Sequence, residues 1–148
     1  MLAESDSESD PRVDRKADLT GAQWGLQAIQ APAAWALGIT GKGARVAVID
    51  TGVDYTHQDL AGNMWVNGGE IPGNGIDDDG NGFIDDVHGC SVVYNTYEHS
   101  GNPMDLSGHG THVAGIVAAT AFNQAGGVGV AFNCQIMAIR AAQESGVI

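Results

Sequence analysis

The chain has 148 residues, enough for one compact domain, and it carries 18 acidic residues against 6 basic ones, for a net charge of -12. This charge excludes the basic surface that nucleic acids require, so no nucleic-acid partner is predicted. The longest apolar stretches fall far short of the roughly 20 residues that span a bilayer, so no membrane insertion is predicted.

The N-terminal 18 residues are rich in serine and charge and have almost no apolar side chains. They cannot offset the entropy of ordering, so residues 1–18 are interpreted as a disordered acidic tail or the end of a processed segment. No signal peptide is visible in them, since a basic region and an apolar run are both missing. Further along, Pro32 followed by AAWAL and Gly38 predicts a short helix.

Residues 44–49, with the sequence ARVAVI, form a β-branched and nearly uncharged run. Such a run is typical of a strand that is buried on both faces of a parallel sheet. Asp50 follows at the carboxyl end, where open α/β sheets place their ligands and their chemistry. Position alone makes Asp50 a candidate site residue, with a turn or helix cap as the alternative.

A helix is predicted over residues 110–120, and a second buried strand over residues 136–139. Gly115 is expected to let the helix pack closely, and four side chains share the helical spacing of an apolar face: Val113, Ile116, Val117 and Thr120. The order of strand, insertion, helix and strand predicts an α/β fold with a parallel sheet.

His109 stands at the start of the predicted helix. An aspartate that orients a histidine forms two of the three parts of a nucleophilic hydrolase. The positive end of a helix disfavours a protonated imidazole, so His109 needs a carboxylate partner if it is to accept a proton. From the residues alone, a helix cap or a satisfied core histidine remains the alternative.

Residues 46–54 (VAVIDTGVD) and 107–119 (SGHGTHVAGIVAA) closely resemble the first two active-site motifs of the subtilisin-like serine proteases, the subtilases (peptidase family S8), in the family's order. The resemblance implies a serine endopeptidase, with Asp50 as the catalytic aspartate and His109 as the general base. It also implies that His112 is a non-catalytic packing residue. We therefore expect a partial subtilisin-like three-layer α/β fold around a parallel sheet.

The family's third motif, a Gly-Thr-Ser sequence before a short helix, does not occur in the 148 residues, and neither does the asparagine of the oxyanion hole. Residues 19–148 thus resemble the N-terminal part of a peptidase domain, truncated after the early strands. Alone, this part is expected to be inactive and to leave one apolar face of the sheet uncovered.

Three readings follow from the missing nucleophile. The chain is the N-terminal half of a protease that cleaves peptide or protein substrates once it is completed, or a non-catalytic calcium-binding module, or one half of a split enzyme with a complementing C-terminal chain. The resemblance implies an extracellular location or the secretory pathway.

A long acidic insertion occupies about residues 62–102, and residues 77–86 read DDDGNGFIDD. Oxygen side chains at loop positions 1, 3, 5 and 9, with glycine at 6, have the spacing of a calcium loop, and position 7 offers its carbonyl. Position 12 is His88 rather than the usual glutamate, so Asp86 or a water completes the shell. The alternative is a solvated acidic turn, and the predicted Ca²⁺ ligands are Asp77, Asp79, Asn81, Phe83, Asp85 and Asp86.

A second calcium site is implied only by the resemblance. Asp59 matches the family's acidic ligand after the aspartate motif, and Asn123 lies in the loop that usually wraps that ion. Thr20 stands where the family's N-terminal ligand lies. Asp59 and Asn123 are therefore the ligands that the resemblance implies for this second site, with Thr20 as a departure from the family's pattern.

The two cysteines, Cys90 and Cys134, are 44 residues apart and form no metal-binding spacing. Two cysteines are too few for a disulfide framework. Two separate buried thiols and one disulfide both remain open.

Overall fold

The computed structural model describes residues 23–93 and 100–142, and the structural statements below concern this part of the chain. The predicted tail and Thr20 lie outside the described residues. Four described helices and three strands follow one another: α1 (Trp24–Ala28), α2 (Ala31–Ala36), β1 (Arg45–Asp50), a 3-10 helix (Ala61–Asn63), β2 (Gly89–Ser91), α3 (His109–Ala118) and β3 (Gln135–Arg140). None of these helices is long and apolar enough to cross a bilayer.

The three strands form one parallel sheet in the order β1-β3-β2, which confirms the predicted α/β class. Strands β1 and β3 pair along six residues, from Arg45 opposite Gln135 to Asp50 opposite Arg140. Strand β2 was not predicted. It has only three residues and lies inside the acidic segment, so its sequence is too short to show a strand period.

Helix α3 covers one face of the sheet with its smallest side chains. Ala114 and Ala118 are fully buried in the main core beside Val48, Ile136 and Ala138. The predicted apolar face is therefore partly wrong, as two of its members show: Ile116 is 56% exposed and Thr120 lies beyond the end of the helix. Alanine side chains let the helix backbone come close to the strands, and bulkier residues remain at the flanks.

The closest approach of α3 to the sheet occurs at Gly110. A β-carbon added there would lie 2.1 Å from the carbonyl oxygen of Gly52 and 3.0 Å from the β-carbon of Asp50. A β-carbon at Gly115 would meet nothing within 4 Å. The close packing predicted for Gly115 is thus a property of Gly110, which lies beside the candidate aspartate.

The opposite face of the sheet is open at β1. Ala47 is exposed and Ile49 is 63% exposed, whereas Val48 on the α3 side is buried. The prediction that this strand is buried on both faces is therefore wrong for the described residues. Parallel sheets normally have both faces covered, so an apolar strip lies here without a cover. Among the described strands, β1 also has a neighbour on one side only.

Both cysteines are free thiols, as in the first of the two alternatives. Cys134 is buried in the main core, and Cys90 is partly buried in β2. Burial raises the pKa of both thiols above their ordinary value of 9.0. Such thiols are poorly reactive and act as small apolar side chains.

We expect Gly110→Ala to destabilise the chain by about 1–3 kcal/mol, because the new methyl group would push α3 away from the end of β1. Gly115→Ala is the matched control in the same helix. It adds the same group in open space and is expected to stabilise by up to about 1 kcal/mol through helix propensity. Urea unfolding followed by circular dichroism measures both, and equal effects would contradict the close approach.

Candidate active site and acidic loop

Asp50 is held firmly at the carboxyl end of β1. Its backbone carbonyl accepts hydrogen bonds from the N–H groups of Ala141 and Ala142, at 2.8 and 3.1 Å. Its side-chain Oδ1 accepts a bond of 2.7 Å from the N–H of Thr51. The backbone of Asp50 is therefore held by the residues that follow β3, and its carboxylate is held by the N–H of the next residue.

His109 is the first residue of α3, and its Nδ1 lies 2.7 Å from Oδ1 of Asp50. A carboxylate only accepts, so Nδ1–H donates, and the free lone pair of the neutral ring is on Nε2. The imidazole is 67% exposed, which rules out a satisfied core histidine, while Asp50 is only 18% exposed. The structure therefore brings Asp50 and His109 into direct contact.

The carboxyl group of Asp50 has a pKa below its ordinary value of 3.8. Burial by itself raises this pKa, but the hydrogen bonds from His109 and from the Thr51 N–H, together with the charge of His109, outweigh burial. The group is therefore ionised at neutral pH. An ionised carboxylate can hold one tautomer of His109 and stabilise the protonated ring.

Asp105 is a site residue that the sequence prediction missed. Its Oδ1 accepts bonds of 2.9 Å from the Thr51 hydroxyl and from the N–H groups of Ser107 and Gly108. Its Oδ2 accepts the N–H and the hydroxyl of Thr111, at 2.9 and 2.6 Å. An aspartate shortly before a helix is a capping signal, and that signal could have identified Asp105.

The five hydrogen bonds lower the pKa of Asp105. Burial alone raises this pKa, but the bonds from Thr111, Gly108 and Ser107 bring it down to about 2. The carboxylate also lies at the positive N-terminal end of α3, which favours its charge. Asp105 is therefore ionised at neutral pH.

His112, one turn along α3, is exposed. The packing role predicted for it is therefore wrong. It is two residues from both Gly110 and Ala114, so it lies on the helix face opposite to the one that packs on the sheet.

The acidic segment gathers three carboxylates that could hold a metal ion. One oxygen each of Glu70, Asp77 and Asp79 lie within 4.8 Å of one another. Glu70, which sequence reasoning missed, is only 7% exposed and accepts the N–H groups of Asp78, Asp79 and Asp85. No local motif marks Glu70, because it joins the cluster only through the chain reversal between residues 70 and 77.

The other predicted ligands lie around this cluster. The side-chain amide of Asn81 donates to Oδ2 of Asp79 and to Oδ2 of Asp86. Its Oδ1 accepts the backbone N–H of Phe83. Asp86 is buried and is bonded by Asn67 as well. Asp85 lies outside the cluster, with its two oxygens accepting the N–H groups of Asn74 and Gly75.

The two residues of the second implied site also come together. Asn123 donates its side-chain N–H to Oδ1 of the buried Asp59, at 2.5 Å. The carbonyl of Asp59 accepts the N–H and the hydroxyl of Thr120. The loop after α3 is therefore bonded to both the side chain and the backbone carbonyl of Asp59.

His88 does not reach the acidic cluster. Its Nδ1–H donates to the carbonyl of Trp65 at 3.1 Å, and its ring stacks on Tyr55 with the centroids 4.9 Å apart. The twelfth position of the loop therefore serves packing, in keeping with its departure from the glutamate pattern.

Comparison with known proteins finds one family model, described as the Subtilase family, over residues 41–147. Subtilisin-like protease 1 of Plasmodium falciparum (isolate 3D7) is 46% identical over 101 residues, which cover 68% of this chain and 14% of that protein. A thermophilic serine proteinase of Bacillus sp. (strain AK1) is 39% identical over 85% of this chain and 25% of its own length. Thermitase of Thermoactinomyces vulgaris is 37% identical over 84% of this chain and 35% of its own length.

The chain therefore spans about a third or less of the length of these relatives. The matched region contains both Asp50 and His109. It also contains the acidic cluster and Asp105.

The lowered pKa of Asp105 predicts a loss of stability in acid. The folded-state value of about 2 lies below the unfolded value of about 3.9, so the contribution is complete above about pH 5 and is lost as the pH falls from there towards 2. After a discount for solvent exposure it amounts to about 1 kcal/mol.

Asp105→Asn should flatten the fall in stability between pH 4.5 and pH 2.5, measured by urea unfolding. Asp54→Asn is the control, because the Asp54 carboxylate accepts its bonds from Thr56 within its own turn. The idea fails if the two variants show the same pH dependence as the unmodified chain.

Proposed function

The chain belongs to the subtilase family, and on that premise we propose that it supplies the aspartate and the histidine of a serine endopeptidase that cleaves peptide or protein substrates. The observation that carries the proposal is the bond of 2.7 Å between His109 Nδ1 and Asp50 Oδ1. It joins the two residue types of the triad in the orientation that leaves Nε2 free to accept a proton.

In the proposed reaction, His109 Nε2 takes the proton of a serine hydroxyl while the serine oxygen attacks the peptide carbonyl. Asp50 accepts the Nδ1–H bond throughout and stabilises the imidazolium. His109 then gives the proton to the leaving amine, and the bond between carbonyl carbon and nitrogen breaks. Water repeats the sequence on the acyl-enzyme, with His109 again as the base.

The serine and the oxyanion asparagine have no counterpart in the 148 residues. We propose that they come from sequence outside this range, either on the same polypeptide or on a complementing chain. The uncovered face at Ala47 and Ile49 supports this proposal, because a parallel sheet needs cover on that side. Among the described strands β1 lies at an edge of the sheet, and this edge adjoins Asp50, so an added strand would lie beside the proposed catalytic pair.

His109→Ala is expected to lower kcat by roughly 10⁶-fold in the completed protein, since the serine loses its base. In the test, the chain is combined with a segment that carries a Gly-Thr-Ser motif. The first segment to try is one encoded downstream of Ile148, and separate chains with this motif are tried next. Labelling by a fluorophosphonate probe and cleavage of a fluorogenic peptide are then measured.

His112→Ala is the matched control, because His112 is exposed on the same helix. It should retain nearly full activity. Absence of labelling in every combination would remove the catalytic proposal and leave the binding module.

We propose that the acidic cluster binds a structural Ca²⁺. Hard oxygen ligands suit this ion, and its flexible coordination tolerates ligands from a loop. Glu70, Asp77 and Asp79 fit the ion, since three carboxylates at this separation repel one another unless a cation offsets their charge. The proposed neutral ligands are the Asn81 side chain and the Phe83 carbonyl, at the fifth and seventh loop positions. Asp86 accepts a hydrogen bond from Asn81 and supports it.

Asp79→Asn is expected to weaken calcium binding by about tenfold or more and to remove the rise in thermal midpoint that calcium produces. Asp78→Asn is the matched control, because it removes the same charge from the adjacent residue. The Asp78 carboxylate accepts hydrogen bonds from the Ile71 N–H and the Asn74 side chain instead. It should change the affinity by about threefold at most. Isothermal titration of the chain with CaCl₂ decides, and no heat together with an unchanged midpoint would refute the site.

A non-catalytic calcium-binding module is the second candidate function, favoured by the same carboxylate cluster. An extracellular location or the secretory pathway is proposed as well. Loosely built calcium loops fill best at extracellular calcium concentrations, which supports this location.

A further inference from the structure

Asp105 lies between the two segments that carry the catalytic pair, and it touches the neighbours of both residues. Thr51, directly after Asp50, donates its hydroxyl to Oδ1 of Asp105. Gly108, directly before His109, donates its N–H to the same oxygen. One carboxylate therefore joins the end of β1 to the start of α3.

A second link closes the arrangement around His109. The hydroxyl of Thr51 accepts the N–H of Gly110 at 2.9 Å, while it donates to Asp105. The residues on both sides of His109 are thus bonded to the pair formed by Thr51 and Asp105. Because these groups are partly or fully buried, water competes little for the bonds.

Thr111 extends the linkage to the far side of the turn. Its N–H and hydroxyl both donate to Oδ2 of Asp105, and its hydroxyl oxygen accepts the N–H of Asp54. The turn after β1 and the first turn of α3 therefore share one set of acceptors. Neither oxygen of Asp105 is left for a ligand role.

We propose that Asp105 is a positioning residue, which fixes the distance between Asp50 and His109 through Thr51 and the first turn of α3. This inference rests on the proposed catalytic role of the pair. Asp105 acts only through its neighbours, since its bonds run to Thr51, Ser107, Gly108 and Thr111. A carboxylate is needed because five donors converge on it, and an amide would present N–H groups to some of them.

The test reads the His109 Nδ1–H proton by nuclear magnetic resonance on the ¹⁵N-histidine-labelled chain, with His109→Gln identifying the signal. In the unmodified chain this proton should be shifted far downfield by the Asp50 carboxylate. Asp50→Asn should abolish the signal. If Asp50→Asn leaves the signal unchanged, the pairing and with it the proposed function are overturned.

Asp105→Asn is expected to remove this signal, or to speed its exchange with water by about tenfold or more, while the methyl signals of the core stay in place. A merely structural role would lower stability and leave the signal intact in the folded molecules. That result, beside a lost signal in Asp50→Asn, would overturn the positioning role alone.

Thr51→Val separates positioning from the loss of a nearby charge, because it keeps the Asp105 carboxylate and removes the hydroxyl link. We expect it to weaken the signal as Asp105→Asn does, whereas Asp54→Asn, which removes a carboxylate from the adjacent turn, should not. An effect confined to Asp105→Asn would show a charge effect and overturn the proposal. If Asp105→Asn does not fold, Thr51→Val decides.

Discussion

The junction between β1 and α3 is built around a single carboxylate that accepts five hydrogen bonds. Without Asp105, three backbone N–H groups at a helix start and two threonine hydroxyls would lose their acceptor, and each such loss costs about 1–3 kcal/mol when the group is buried. The helix would then have no fixed start. The orientation of His109 towards Asp50 follows from this junction, because the histidine lies in the turn that it organises.

Close packing and hydrogen bonding act together at this place. Gly110 lets the first turn of α3 approach the backbone of Gly52, and its N–H is in reach of the Thr51 hydroxyl only because of that approach. The same turn leaves His109 largely exposed while Asp50 is mostly covered. An exposed imidazole beside a mostly covered carboxylate is the arrangement that the proposed proton transfer requires.

The sequence was sufficient where a local pattern carried the information. The apolar run before Asp50 and the helical run after His109 placed both residues at the ends of their elements, and both lie there. Glu70 and Asp105 could not be assigned in this way, because their roles come from chain reversals that bring distant donors to them. The buried face of α3 was missed for a related reason: hydrophobicity ranks valine above alanine, whereas the close approach at Gly110 selects Ala114 and Ala118.

Asp50 and His109 are 59 residues apart, and the whole acidic segment lies in the loop that their contact closes. Closing a long flexible loop has an entropy cost that grows with the number of free residues in it. An ion bound at the proposed site of Glu70, Asp77 and Asp79 would tie part of this loop into a compact unit before the ends meet. Calcium binding at the proposed site would therefore bear on the rate at which Asp50 and His109 come together as well as on the final stability.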